Sequence, residues 1–313
     1  MKKLLSATLS LLFSVMLFAN ENNITYKQSC SKNIKNVDIN LSYEKLEIIE
    51  TSGNEFTIQI ECNNKRKQPR VDWDDDTIKI RSVSHFSSIT DRCKVELLIP
   101  KEYTFENIDI STSSGKISIE NLKSDDFEIT STSGEIYINN IYAQDDGVIK
   151  STSGTINIDN ISADTVEINS TSGSINIESC EAVEAKFEST SGTIKLNNFD
   201  GEYIESDTTS GSQKYSNCFC DYFNLESTSG SITLELTEAP LASSSIESTS
   251  GSIKLYIPKE KSFDLVYETN SGSLNDNFND NKFSPRHEYR NSYFGGGPEI
   301  KVDTSSGSLE IDE

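Results

Sequence analysis

Carboxylates are the reactive groups that this sequence offers most often. Asp72, Asp74 and Asp76 alternate in the segment VDWDDDTIKI, which loosely resembles a calcium-binding loop. Such a loop also needs a central glycine and a distal glutamate, and the segment has neither. Because apolar residues alternate on both sides of the aspartates, we interpret the segment as the turn of a β-hairpin.

A second set of carboxylates recurs at intervals of about twenty residues, each four positions before a glycine. The members are Glu188, Asp207, Glu226, Glu247 and Glu268. If the segments that carry them stack as strands, the carboxylates form an acidic rank with a spacing of about 4.8 Å. The rank is then either a solvated face screened by salt or a weak site for divalent cations, which prefer oxygen ligands.

Basic and imidazole side chains are scarce over most of the chain. No arginine lies between Arg92 and Arg286, and no histidine lies between His85 and His287. A polysaccharide lyase or a phosphoryl-transfer enzyme needs a cationic group beside the reacting anion, so both classes are disfavoured. A glycosidase needs only two carboxylates and stays open as an alternative. We expect no catalytic, cofactor-binding or metal-binding residues.

One cluster of cationic and aromatic side chains lies near the C terminus, in the segment FSPRHEYRNSYFGGGPEI. Its members are Arg286, His287, Tyr289, Arg290, Tyr293 and Phe294. We interpret the segment as a long loop. Because loops often carry binding residues, we expect it to be the best position for a specific contact.

The six cysteines form two groups. Three precede the regular part of the chain: Cys30, Cys62 and Cys93. Export would permit one disulfide among these three, and the spacing does not select the pair. Cys180, Cys218 and Cys220 lie in the regular part. Since Cys180 and Cys218 are two repeats apart, they should be too far from each other for a disulfide, which predicts buried thiols.

The elements that position these groups come from an internal repeat, exemplified by EINSTSGSINIES. A period of about 19 to 21 residues is typical of stacked repeat proteins, and apolar residues that alternate with period two indicate strands. The repeat glycines are Gly115, Gly134, Gly154, Gly173, Gly192, Gly211, Gly230, Gly251 and Gly272. We predict an all-β fold: a parallel single-stranded β-solenoid, right-handed, with about 19–21 residues per coil and a less regular N-terminal β cap. Gly53 and Gly307 should mark two further coils.

Equivalent positions of the repeat carry similar side chains. Asparagine lies six positions after the glycine at Asn121, Asn140, Asn160, Asn198 and Asn217. We predict a structural ladder in which each amide bonds to the amide of the next coil. Glycine is expected to take a strained backbone corner in each coil, at Gly134, Gly154, Gly173, Gly192 and Gly230 among others.

Gln213 and Tyr215 interrupt the repeat, because they occupy two positions that are apolar in most other coils. This predicts either a bulge that turns both side chains outward or a local binding notch.

The first residues, MKKLLSATLSLLFSVMLFAN, combine two lysines with an apolar run that is too short for a membrane span. We predict a signal peptide over 1–19, followed by one continuous domain: an N-terminal β region at 20–100, regular coils at 101–274, and a C-terminal loop with a final coil at 275–313. Cleavage would change the net charge from −22 to about −24. A surface this acidic repels nucleic acid and anionic lipid.

The segment KVELLIPKEYTFENIDISTSSGKISIENL resembles the bacterial envelope family known as putative adhesins, a DUF-type family of β-strand-repeat proteins. The family pattern is a strand that ends in Ile-Pro, a short linker, TSSGKISI and serial TSGxIxI coils. It recurs as IKLYIPKEKSFDLVYETNSGSL and closes as EIKVDTSSGSLEI. The resemblance covers roughly residues 36–313. It implies an exported envelope protein and provides no catalytic motif to transfer.

We therefore expect a non-catalytic exported protein of the periplasm, cell surface or extracellular space, with an adhesin-like binding or structural role. Its partner would be an envelope component, a protein or a glycan, and not nucleic acid. The alternative is a carbohydrate-active β-helix enzyme that uses paired carboxylates. Binding to ice or to a mineral surface is disfavoured. Such a surface needs adjacent rows of threonine, and the repeat position beside the threonines carries mixed residue types.

Overall fold

The computed structural model describes residues 18–20, 23–83, 91–285 and 287–313. Within these ranges the chain is all β, apart from one 3-10 turn at Lys65–Lys67. The same ranges contain no helix of the length and hydrophobicity that crossing a membrane requires. The signal peptide expected over 1–19 falls mainly on residues 1–17, which lie outside the described residues.

Twenty-five strands cover the described residues and join into one sheet. The N-terminal strands are β1 (Phe18–Asn20), β2 (Asn23–Cys30), β3 (Asn36–Leu41), β4 (Lys45–Thr51), β5 (Phe56–Cys62), β6 (Arg70–Asp74), β7 (Thr77–Arg81), β8 (Cys93–Pro100) and β9 (Thr104–Thr112). The middle strands are β10 (Ile117–Ser131), β11 (Ile136–Ala143), β12 (Asp146–Ser151), β13 (Ile156–Ser170), β14 (Ile175–Ser189), β15 (Ile194–Thr208), β16 (Gln213–Ser227), β17 (Ile232–Leu236), β18 (Ser244–Ser248) and β19 (Ile253–Tyr256). The C-terminal strands are β20 (Phe263–Thr269), β21 (Leu274–Asp276), β22 (Asn281–Phe283), β23 (His287–Tyr293), β24 (Glu299–Thr304) and β25 (Leu309–Asp312).

The middle strands form a solenoid-like stack in which each coil pairs in parallel with the next. In its most regular part, β13, β14, β15 and β16 lie side by side, each displaced by 19 residues from the one before. Ile156, Ile175 and Ile194 are therefore direct neighbours on adjacent strands. The period of the sequence motif equals the length of one coil.

The apolar residues on both sides of each corner line one continuous core. Phe127 and Ile129 before a corner, and Ile136 and Ile138 after it, are each at most 2% exposed. Burying one such side chain contributes about 1.5–3 kcal/mol. Since every coil adds an equivalent set, stacking the coils is what stabilises the fold.

The corners need glycine because the backbones of adjacent coils approach each other there. A Cβ atom on Gly173 would lie 2.0 Å from the carbonyl oxygen of Gly154. Neither glycine has a positive φ, so close approach is the cause, and the expected strained conformation is not found. The same contact with the preceding coil occurs at all five glycines predicted to be structural: Gly134, Gly154, Gly173, Gly192 and Gly230.

The coils do not follow sequence order at the C-terminal end of the stack. β24 lies between β18 and β20, and β25 lies between β19 and β21. The corner of Gly307 consequently packs between those of Gly251 and Gly272. The sequence predicts a coil at Gly307, and it exists, but it is inserted into the stack and does not follow the coil of Gly272.

The N-terminal end has the same arrangement. β3 lies between β7 and β9, and β4 lies between β8 and β10. The corner of this inserted coil is at Glu44, whose carbonyl oxygen contacts Gly115. The buried carboxylate of Glu44 accepts the backbone N–H groups of Ser42 and Tyr43 at 2.9 and 3.0 Å. The predicted corner at Gly53 is therefore wrong, because Gly53 lies in the exposed turn between β4 and β5.

Antiparallel strands cover both ends of the parallel stack. At the N-terminal end β6 pairs with β7, β5 with β8, and β2 with β5. At the C-terminal end β23 pairs with β20, and β22 with β21. Charged side chains on β6 and β23 disfavour pairing of these edges with another chain.

The cysteines of the N-terminal group are not equivalent. Cys62 and Cys93 are direct neighbours on the antiparallel strands β5 and β8 and form a disulfide. Cys30 is a buried free thiol. The structure thus selects one of the three pairs that the sequence leaves open.

The cysteines of the regular coils are buried free thiols. Phe199 lies between Cys180 and Cys218 in the stack, so these two are separated by a whole coil, as predicted. Burial raises the pKa of Cys180 and of Cys220 to about 12. Thiolate is the reactive form, so these side chains are expected to resist oxidation while the protein is folded.

Gln213 and Tyr215 point into the core, which contradicts the expected outward turn of both side chains, although the strand register does shift between Tyr215 and Cys218. They are 1% and 0% exposed, so neither lines a surface notch. The side-chain amide of Gln213 donates to Thr208 Oγ1 at 3.0 Å, and the Tyr215 hydroxyl donates to Gln213 Oε1 at 3.4 Å. Ser206 takes a core position that is phenylalanine or leucine in the adjacent coils, and this gives the tyrosine ring room.

Candidate functional site

One corner of each regular coil carries the hydroxyl groups of the Ser-Thr-Ser-Gly motif. The first hydroxyl is buried and closes the corner: Ser131 Oγ donates to the carbonyl oxygen of Gly134 at 2.8 Å, and the N–H of Gly192 donates to Ser189 Oγ at 2.9 Å. The next residue is exposed, as at Thr190. The motif therefore has a structural half, which faces inward, and a half that is available to a ligand.

These exposed residues line a groove that follows the corner along the stack. We call it the corner groove and define it by the residues two and four positions before each corner glycine. One section of about 690 Å³ is lined by residues between Asn40 and Thr209, and a second of about 290 Å³ by residues between Asp207 and Ser305. Asp207 lines both sections, so the groove is continuous along most of the stack.

The chemistry of the groove wall changes along the stack. Toward the N-terminal end the position four before the glycine is neutral or basic: Ser111, Thr130, Lys150 and Asn169. In every coil stacked beyond Asn169, the position four before the glycine is acidic. The spatial order is Glu188, Asp207, Glu226, Glu247, Asp303 and Glu268. The structure thus brings the five predicted carboxylates into one acidic rank. It also adds Asp303, which the sequence order conceals because its coil is inserted.

Lysines neutralise only the two ends of the acidic rank. Lys186 Nζ lies 3.4 Å from Glu188 Oε1, and Lys301 Nζ lies 3.1 Å from Glu268 Oε2. The carboxylates between these ends form no ion pair within the described residues. The centre of the rank is therefore a row of like charges on adjacent strands, which repel each other.

Asp207 shows the effect of this repulsion. Burial raises its pKa above the ordinary value, and the neighbouring carboxylates of Glu226 and Glu188 raise it further. In the part of the chain that the structure describes, no three His, Cys, Asp or Glu side chains are grouped to hold a metal ion. Weak divalent-cation binding along the rank stays a prediction.

We expect Asp207→Asn to stabilise the protein at pH 7 by about 0.5 kcal/mol, since like charges on adjacent strands cost a few tenths to one kcal/mol. A raised folded-state pKa means that ionised Asp207 destabilises the fold above that pKa. The gain should therefore shrink as the pH falls and vanish below the unfolded value of about 3.9. Thermal melts across pH 3–7 measure it. Glu55→Gln, which removes the same charge from an exposed turn, is the control and should give no comparable gain.

The predicted asparagine ladder is continuous over three coils. Asn140 Nδ2 donates to Asn121 Oδ1 at 2.8 Å, and Asn160 Nδ2 donates to Asn140 Oδ1 at 2.9 Å. Ser179 takes the position in the next coil, and Asn198 beyond it donates to a backbone carbonyl at 2.8 Å. Asn217 Nδ2 donates to Asn198 Oδ1 at 3.5 Å, so the predicted ladder is interrupted at Ser179 and has one further bond beyond it.

The sequence did not lead us to two side-chain pairs that join adjacent coils. Asn176 Nδ2 donates to Asn157 Oδ1 at 3.0 Å on another face of the stack. The rings of Tyr203 and Tyr222 stack with centroids 4.4 Å apart. Comparing every repeat position, and not only the most regular ones, would have revealed both pairs.

The predicted C-terminal contact loop is a strand. The described members of the cluster lie on or directly after β23: His287, Tyr289, Arg290, Tyr293 and Phe294. Arg286 lies outside the described residues. Tyr293 is 4% exposed, and its hydroxyl donates to the buried carboxylate of Asp276 at 2.7 Å. This segment therefore caps the core, and the expectation of a long loop is wrong. The specific contact expected at its exposed side chains stays a prediction.

The aspartates of VDWDDDTIKI lie in a hairpin, as predicted. β6 and β7 pair antiparallel, and the turn contains Asp75 at a φ of 49°. Lys79 Nζ lies 2.6 Å from Asp74 Oδ2. The pair bridges the two strands beside the turn.

A family model described as Toastrack DUF4097 matches residues 34–202 and again residues 181–312. No curated protein matches the chain. Solved structures that are similar to it include three putative adhesins. A putative adhesin from Parabacteroides merdae is 12% identical with a TM-score of 0.50, over 93% of this chain and 97% of that one. One from Parabacteroides distasonis is 10% identical with a TM-score of 0.45, over 92% and 96%. One from Bacteroides fragilis is 13% identical with a TM-score of 0.37, over 94% and 98%.

At these identities the structural likeness concerns the fold alone, whereas the two family matches together cover almost the whole described chain. They confirm the resemblance to putative adhesins that the repeat motifs predict. The chain belongs to the Toastrack DUF4097 family.

Proposed function

We propose that this protein is an exported, non-catalytic binding protein of the cell envelope, with an adhesin-like role, and that its corner groove contacts a protein or glycan partner. The fold behind the proposal is a right-handed parallel β-solenoid that acts as one continuous domain over residues 20–313. Its placement would be the periplasm, the cell surface or the extracellular space.

The observation that carries the proposal is the continuity of the corner groove. The seven coils with corners from Gly134 to Gly251 each carry one exposed threonine at the same place, so an elongated partner meets the same hydroxyl in coil after coil. Extended surfaces of this kind are what stacked repeat proteins use for binding. The descriptions of the similar structures as adhesins support a binding role.

Binding of the labelled, purified chain to isolated cell envelopes tests the proposal. We expect saturable binding that Thr171→Lys with Thr190→Lys reduces at least tenfold, because two long side chains obstruct the groove. Thr155→Lys with Thr193→Lys places the same charges on another face and should leave binding unchanged. Equal binding by both double variants would refute the assignment to the corner groove.

One observation favours a second candidate, a carbohydrate-active enzyme. Adjacent carboxylates of the acidic rank are about 4.8 Å apart at strand spacing, close to the separation of about 5–5.5 Å in retaining glycosidases. The raised pKa of Asp207 suits a general acid. Release of reducing ends from envelope polysaccharides, abolished by Asp207→Asn, would support this candidate over the binding role.

A further inference from the structure

A second concave site lies where the N-terminal part of the chain overhangs the first regular coils. We call it the ladder cleft. It has a volume of about 420 Å³ and lies between the turn at 99–103 and the continuous part of the asparagine ladder. Binding sites for small ligands typically measure about 300–1,000 Å³. The ladder cleft is separate from the corner groove, since the two share no lining residue.

The overhanging wall is held firmly in place. The Tyr103 hydroxyl donates to the carbonyl oxygen of Ile34 at 2.6 Å, and Asn33 Oδ1 lies 3.0 Å from the same hydroxyl. The carboxylate of Glu50 accepts the backbone N–H of Glu102, a residue with a φ of 55°. A left-handed non-glycine residue needs such support, so the turn keeps one shape, and the cleft exists before a ligand arrives.

The floor of the cleft leaves amide groups unused. A side-chain amide offers two N–H donors and one carbonyl oxygen acceptor. Each ladder bond uses one N–H of one asparagine and the oxygen of its neighbour. Among the described residues, Asn121 Nδ2 donates no hydrogen bond and Asn160 Oδ1 accepts none, although both side chains line the cleft. The two ends of the ladder therefore have one free donor and one free acceptor, on side chains that line the same cleft.

An aromatic ring borders the same amides. Tyr142 is 45% exposed and lines the cleft directly beside the ladder, eight positions after its corner glycine. The same repeat position is Ser162 in the next coil and Glu181 in the one after. An exposed ring beside hydrogen-bonding amides offers a ligand both an apolar face and polar contacts, the combination that oriented binding requires.

We propose that the ladder cleft binds an oligosaccharide that carries acetamido groups. An acetamido group has one N–H and one carbonyl oxygen. Asn121 and Asn160 are two coils apart, about 9–10 Å at strand spacing, so the carbonyl oxygen of one sugar's acetamido group accepts from Asn121 and the N–H of another sugar's acetamido group donates to Asn160. The sugar ring packs its C–H face on Tyr142. This proposal adds a ligand class and a second site to the binding role proposed above, on which it rests.

Isothermal titration with the full chain tests the proposal through a matched pair of probes. Chitotetraose carries an acetamido group on each sugar, and cellotetraose has hydroxyls at those positions. We expect chitotetraose to bind at least tenfold more tightly, because a site that hydrogen-bonds an amide rejects an analogue that lacks it. Equal affinity for the two sugars, or no binding of either, would overturn the assignment.

Two variants locate the site. Tyr142→Ala should weaken chitotetraose binding at least tenfold, while Phe219→Ala should leave it unchanged. Phe219 holds the same repeat position, is 40% exposed and lies outside the cleft. Since both side chains are on the surface, both variants are expected to fold. An unchanged affinity in Tyr142→Ala would refute the ladder cleft as the site.

The envelope assay separates this proposal from the proposed function. If envelopes bind the chain through the corner groove but chitotetraose does not bind, the ladder-cleft assignment fails and the binding role stands. If chitotetraose binds but envelopes do not, the envelope role fails. If an extended peptide displaces bound chitotetraose and binds tenfold more tightly than chitotetraose does, the ligand is a peptide. The assignment to an acetamido sugar is then wrong.

Discussion

Deletion of residues 299–313 is expected to unfold the C-terminal end of the stack, including strands that the deletion leaves intact. The deleted coil buries Ile300, Val302, Leu309 and Ile311, each 0% exposed. At about 1.5–3 kcal/mol for each buried side chain, the loss is about 6–12 kcal/mol. That is comparable with the whole stability of a typical domain. Because β24 and β25 lie inside the stack, β20 and β21 also lose their parallel partners.

Hydrogen exchange of the truncated chain measures this effect strand by strand. We expect fast exchange in β20 and β21, while β13 to β16 stay protected and serve as the internal control. Adding a synthetic peptide of residues 297–313 should restore protection, because it carries the missing strands. If β20 and β21 stayed protected without the peptide, the coil of Gly307 would have to lie at the outer end of the stack.

Ile175→Asp is expected to destabilise the protein by about 3–5 kcal/mol. Ile175 is 0% exposed and lies between Ile156 and Ile194, so the new carboxylate would be buried without a partner. Thermal or denaturant melts measure the loss. Val183→Asp is the matched control, since it also replaces an apolar residue of β14 by a carboxylate, but at a side chain that is 48% exposed. Equal losses in the two variants would contradict the assigned register.

The repeat itself could be predicted from sequence because its signals are local. A corner glycine with small hydroxyl residues before it, and alternating apolar residues on both sides, locates each coil. The length of one coil follows from the spacing of these corners. Buried positions such as Ile158 and Ile177 follow from the alternation, and the structure places both in the core at 2% exposure.

The order of the terminal coils could not be predicted, because every coil presents the same apolar alternation to its neighbours. Leu274 and Leu309 are equivalent residues, and either could pack beside Ile253. The choice depends on the connections, above all the Gly-rich segment 294–298, which carries the chain around β20 from β23 to β24. The motif at Gly53 is misleading because a turn after a strand can have the same sequence as a corner.

The candidate site was only partly predictable. The acidic rank follows from the repeat, whereas the corner groove and the ladder cleft depend on how side chains of different coils and of the N-terminal part meet in space. Gln213 and Tyr215 show the limit most clearly. Whether they turn inward depends on the size of Ser206, which lies on the other side of the corner.

The central claim, a parallel stack with the last coil inserted, is tested most directly by two engineered cysteine pairs. Asp303 is the direct neighbour of Glu247, and Glu268 is the neighbour of Asp303 on the other side. Neighbouring strands place Cα atoms about 4.8 Å apart, within the range for a disulfide, while two strands away the distance is about 9–10 Å and too long. We expect mass spectrometry of the oxidised protein to find a disulfide in Glu247→Cys with Asp303→Cys and none in Glu247→Cys with Glu268→Cys. A disulfide only in the second variant would show that the coils follow sequence order and would contradict the structure.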